Sequence, residues 1–127
     1  MSSSLKYFSN ILAPVSLGEL VDKITILEIK KLNMSGEKLE NVSRELTLLK
    51  DILKNKDLEI DINIINHLRE INNRLWEIED QIRIKESQQE FDKEFIELSR
   101  SVYRENDKRA SIKKEINKKY NSGIIEE

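Results

Sequence analysis

The sequence predicts an all-α fold: a long antiparallel helical hairpin of coiled-coil character, with flanking helices that complete a three- to four-helix bundle. Three observations carry this. Only three glycines and one proline punctuate the 127 residues, so little in the chain stops a helix once begun. Charged residues reach 36%, a composition suited to helices with long solvated faces. Apolar residues recur at alternating spacings of three and four through two stretches, Leu39 to Leu53 and Leu68 to Ile82, which is the heptad signature.

Residues 1–15 read as an irregular N-terminal arm ending at Pro14, with Tyr7, Phe8 and Ile11 expected to dock on the body. Ser16 followed by Glu19 forms a capping box, in which serine oxygen and glutamate carboxylate satisfy amides that a helix start leaves unpaired. The first helix is therefore expected from about Leu17 to Asn33, with "MSGE" as its stop. Its stripe is Leu17, Leu20, Ile24 and Leu27, flanked by Val21 and Leu32.

A second helix begins near Glu37 and carries Leu39, Val42, Leu46, Leu49 and Leu53. The stretch "KNKDLEIDINI" then breaks the heptad. Leu58, Ile60, Ile62 and Ile64 alternate like a strand, but no second strand exists to pair with them, so the stretch reads as a connector. Asp61 or Asn63 is the expected cap of a third helix. That helix resumes the heptad with Leu68, Ile71, Leu75, Ile78 and Ile82. Matching seams on the second and third helices predict that these two form the hairpin.

Ser87 with Glu90, or Asp92, could cap a fourth helix, although one continuous helix also fits "ESQQEFDKEF". The fourth helix carries Phe91, Phe95, Leu98 and Val102, and "NSG" near Gly123 is its stop. Residues 16–122 are thus one helical domain and 123–127 a tail.

In "SVYRENDKRASIKKEI" the apolar stripe fails and then resumes. At about 100° per residue, Asn106, Arg109 and Lys113 fall in one sector with Val102 and Ile116. Three surroundings fit the trio: water beyond the end of the neighbouring helices, buried carboxylates, or the anion of a ligand. Glu28, inside the apolar face of the first helix, and Glu79 on the third are the candidate carboxylates. Trp76 lies off the heptad seam in a sector shared with Ile65, Asn72, Glu79 and Arg83. A tryptophan there implies a second covered side on the third helix. The candidate ligand-binding set is therefore Glu28, Trp76, Glu79, Arg83, Asn106, Arg109 and Lys113.

Composition narrows the function classes. Zero cysteines exclude a disulfide framework, a thiolate metal site and a cysteine nucleophile, and suit a cytoplasmic protein. A net charge of −2 from 22 basic and 24 acidic residues supplies no global field toward nucleic acid or anionic lipid. From Arg104 to Lys119 seven basic residues stand against three acids, but basic residues near a helix C-terminus also suit its dipole, so nucleic-acid binding is not expected. No run approaches the ~20 apolar residues that cross a bilayer, and no secretory leader is recognisable.

Catalytic signals are weak. Glu37 with Glu40 and Glu77 with Asp80 resemble the acidic pairs by which all-helical nucleotide pyrophosphohydrolases hold magnesium, but Glu40 and Glu77 stand too far apart for that pattern. His67 has no companion ligands, and no glycine-rich phosphate loop is present. No catalytic residue, metal or cofactor is assigned.

At "APVSLGELVDKITILEIKK", "LWEIEDQIRIKE" and "FDKEFIELSRSVYRENDKRASIKKEIN" the chain resembles a family of short bacterial proteins of unassigned function, some from marine cyanobacteria. The resemblance spans Ala13 to about Gly123. It implies a bacterial, cytoplasmic protein and supplies no catalytic residues.

The expectation from these readings is a non-enzymatic interaction or scaffold module acting as a homo-oligomer, a dimer, because a few long helices cannot cover two apolar sides at once. The alternative is a small enzyme or binder of a phosphorylated metabolite or nucleotide, using a Glu/Arg/Lys cluster between helices.

Overall fold

The computed structural model of the chain describes residues 10–127; the expected docking of Tyr7 and Phe8 lies outside them. Ile11 is 87% exposed rather than docked. Four helices follow in order: α1 (Leu17–Asn33), α2 (Gly36–Asn55), α3 (Ile62–Ser87) and α4 (Lys93–Lys119). Among the described residues there is no strand, so the all-α expectation holds.

Local chemistry sets the ends. Ser16 Oγ accepts from Glu19 N–H at 3.1 Å, Asp61 from Asn63 N–H at 2.9 Å and Asp92 from Phe95 N–H at 3.0 Å, capping α1, α3 and α4. The Asp92 cap and the left-handed Gln89 (φ 55) separate α3 from α4. Gln89 N–H returns to Glu86 C=O and Glu90 N–H to Lys85 C=O, a Schellman closure. The same closure ends α4 on left-handed Asn121, not on Gly123: Asn121 N–H donates to Lys118 C=O and Ser122 N–H to Asn117 C=O.

The heptad seams of α2 and α3 do not form the expected hairpin. Val42 and Leu46 of α2 pack on Leu20, Ile24 and Leu27 of α1. Leu68, Ile71 and Leu75 of α3 pack with Val21 of α1 and Ile112 and Ile116 of α4. Helix α1 therefore lies between α2 on one side and the α3/α4 pair on the other, and α2 packs against α1 rather than α3. A heptad states that a seam is covered; it does not name the cover.

The seam of α3 meets α4 instead. Asp61 N–H donates to Tyr120 Oη at 2.7 Å near one end, Arg74 pairs with Glu105 midway, and Lys85 reaches Asp92 at 3.0 Å at the other. The two helices therefore run in opposite directions. Helix α1 covers only their proximal halves. Between Leu75 of α3 and Glu105 of α4 no described residue is buried, and the paired distal halves stand clear of α1 and α2.

Two stripe residues are displaced. Leu32 is 86% exposed, and Ile29 is the last buried residue of α1. Phe91 precedes α4 and packs edge-on against Phe95, ring centroids 5.1 Å apart.

Candidate functional site

The polar face of α4 meets α1. Gly18, Asp22, Thr25 and Ile29 recur at four, three and four, so they share a sector of α1. All four are buried. Gly18 allows the backbones to approach: a Cβ there would collide with the carbonyl oxygen of Lys113. Its N–H donates to Asn117 Oδ1 at 2.6 Å, and Leu17 N–H donates to Ser122 Oγ at 3.1 Å, so α4 and its exit turn satisfy the first amides of α1.

One turn on, Asp22 is 1% exposed. Asn72 of α3 donates to its carboxylate at 2.9 Å and to Thr25 Oγ at 2.9 Å, while Thr25 Oγ donates to Asp22 C=O at 2.7 Å. Arg109 Nε stands 3.5 Å and Lys113 Nζ 3.7 Å from the second Asp22 oxygen. Lys113 also pairs with Glu19 at 2.5 Å. Three helices thus contribute to one buried polar knot, and among the described residues no buried side-chain nitrogen or oxygen lacks a partner.

Arg109 and Lys113 do face acid, but the acid is Asp22 and Glu19 rather than Glu28 and Glu79. Glu28 holds Arg69 of α3 at 3.1 Å, with Lys50 of α2 at 3.9 Å. Glu79 pairs with Arg83 at 3.7 Å on the exposed surface, where Arg83 also meets Asp80 at 2.7 Å. Trp76 is half-buried. Asn106 is exposed, and its neighbour Glu105 is the buried residue.

The reason is register. From Leu98 the alternation of four and three runs through Val102, Glu105, Arg109, Ile112 and Ile116, a heptad seam with two charged members. Stepping four from Val102 reaches Asn106; stepping three reaches the residue that packs. Glu105 is held by Arg74 and by Lys108 at 3.0 Å. The Arg74 guanidinium, with Lys108 behind it, keeps this carboxyl below its ordinary range against the opposing effect of burial.

The structure therefore divides the seven sequence-derived site residues. Arg109 and Lys113 join the buried knot, Glu28 lines a separate cleft between α1, α2 and α3, and Trp76, Glu79, Arg83 and Asn106 belong to the distal surface. Asp22, Thr25, Asn72, Glu105 and Asn117 were not singled out from the sequence. The advance signs are that Asp22 shares its sector with Gly18, Thr25 and Ile29, and that Asn72 shares the sector of Trp76.

The basic run of α4 is internally neutralised. Except for Lys118, each cation from Arg104 to Lys119 has a carboxylate within 4.0 Å: Glu97, Glu105, Asp22, Glu19, Glu127 or Asp61. Among the described residues no group of three His, Asp or Glu side chains could hold a metal ion, and no helix is long and apolar enough to cross a membrane.

No curated protein and no solved structure matches the chain. A family model does match, over residues 12–127, and the chain accordingly belongs to the family of unknown function DUF6165.

Proposed function

We propose that the protein is a non-enzymatic interaction module that acts as a homodimer, joined through the distal halves of α3 and α4. The observation that carries this reading is the asymmetry of that distal pair. One side is closed by ion pairs, with Arg74, Glu105 and Lys108 midway and Lys85 among Asp92, Glu94 and Glu90 at the tip. The other side continues the surface that α1 covers lower down, and there Ile96 is 49% and Tyr103 57% exposed in one sector of α4. Trp76 occupies the corresponding sector of α3.

Ile96, Tyr103 and Ala110 recur once per heptad along this strip. Two copies laid antiparallel about a two-fold axis at Tyr103 set each Ile96 against the small Ala110 of the other, a self-complementary contact. The reading that gives Arg109 and Lys113 to a phosphorylated ligand is less well supported, because both already share the Asp22 carboxylate.

Sedimentation equilibrium tests the proposal. A dimer is expected at micromolar concentration, and Ile96→Glu with Tyr103→Glu should yield a monomer whose circular dichroism and thermal midpoint stay close to the parent's. A parent that remains monomeric up to about 100 μM, a dissociation free energy weaker than ~5.5 kcal/mol, rejects it.

A further inference from the structure

Because α2 and α3 lie on different sides of α1, a cleft of about 290 Å³ is left between them. Its floor is apolar: Val21 and Ile24 of α1, Leu53 of α2 and Ile65 of α3. Its rim is not. Lys50 and Lys54 of α2 and Arg69 of α3 line it, and Glu28 is its one carboxylate, so the cleft carries a formal excess of two positive charges.

Glu28 shows what the rim can hold. Arg69 Nη2 donates to both of its oxygens, at 3.1 and 3.2 Å, and Nε approaches one at 3.4 Å. That is the fork geometry in which a guanidinium receives a planar carboxylate. Lys50 stands back from the same group at 3.9 Å, beyond hydrogen-bond reach, and Lys54 brings a further positive charge. One acid can offset only one of these three cations, which leaves two positive charges over an apolar floor.

We infer that this cleft is a binding site for a short aliphatic carboxylate, the chain lying on Val21, Ile24, Leu53 and Ile65 and the head group among Lys50, Lys54 and Arg69. The volume sits at the lower edge of the ~300 to 1,000 Å³ typical of small-molecule sites, room for an acyl chain of modest length rather than a nucleotide. The cation excess selects the anionic head, and the floor selects the apolar body. The site lies in the half of α3 that α1 covers, and the inference does not depend on dimer formation.

Sodium octanoate is the probe, titrated into the full chain and followed by calorimetry and by amide chemical shifts. Saturable binding is expected, with shifts centred on Ile24, Leu53, Ile65 and Arg69. Octylamine and 1-octanol should bind at least tenfold more weakly, since neither presents a carboxylate to the cations. Lys50→Gln with Lys54→Gln, both exposed and on one helix, should weaken octanoate about tenfold without altering the fold. Glu28→Gln should act in the opposite direction and tighten it several-fold, because Arg69 is released to the ligand. Equal affinity for octylamine or octanol, no saturation by about 10 mM, a limit near ~3 kcal/mol of binding, or indifference to the lysine pair would overturn the assignment.

Discussion

The Asn72 amide donates to the Asp22 carboxylate at 2.9 Å, and both side chains are buried. The same Asn72 nitrogen reaches Thr25, so removing Asp22 strips an acceptor from a group that water cannot replace. It also leaves Arg109 without its carboxylate, while Lys113 retains Glu19. Asp22→Ala is therefore expected to cost ~3 to 5 kcal/mol, read as a lower urea midpoint with an unchanged denaturant slope. A loss below ~1 kcal/mol would show that the knot contributes little.

Glu105 makes the opposite case. Its carboxylate is buried, but its partners Arg74 and Lys108 are about half exposed, so both cations can turn to water if the acid is removed. Leucine would carry the apolar seam one step beyond Val102, as far as Arg109. Glu105→Leu should leave stability within ~1 kcal/mol of the parent or raise it. A loss comparable to that of Asp22→Ala would mean that the two cations remain desolvated.

The contrast between these acids explains what could be read from the chain and what could not. Ser16 was legible as a cap, and Asp61 and Asp92 each as one of two candidates, because a cap is a contact within one turn, written in consecutive residues. The choice between Glu105 and Asn106 was not, since a helix allows steps of three or four. Asp22 was hidden for a different reason: its partners come from α3 and α4, and nothing on α1 records which helices arrive. The α2/α3 pairing failed likewise. Leu46 and Leu68 each announce a covered seam, and both are covered, but α1 supplies the cover for one and joins α4 in covering the other.

Gly18 offers a test of how closely α1 and α4 must approach. A methyl group there meets the carbonyl oxygen of Lys113, which is helix backbone and cannot swing aside, and lies 3.0 Å from Asn117 Oδ1. Gly18→Ala would raise intrinsic helix propensity by ~1 kcal/mol and yet is expected to destabilise by ~1 to 3 kcal/mol. Thermal unfolding decides the sign. A stabilised variant would show that the two helices part at no cost, and the amides of Leu17 and Gly18 would then not need Ser122 and Asn117.

Acid should loosen the α3/α4 pair at two points. Asp92 is held below the ordinary carboxylate range by the Phe95 N–H and then by Lys85, and Glu105 by Arg74 and then by Lys108. In both the folded value is the lower one, so the stability each contributes is complete above the unfolded range of ~4 to 4.5 and is lost as pH falls through the folded value. Urea midpoints measured from neutral pH down to about pH 2.5 should accordingly be insensitive to these groups above ~pH 5 and decline below it. Glu105→Leu removes one of the two titrations, and its midpoint should decline less steeply in acid than the parent's. An identical acid slope in the two proteins would place the acid sensitivity elsewhere in the chain.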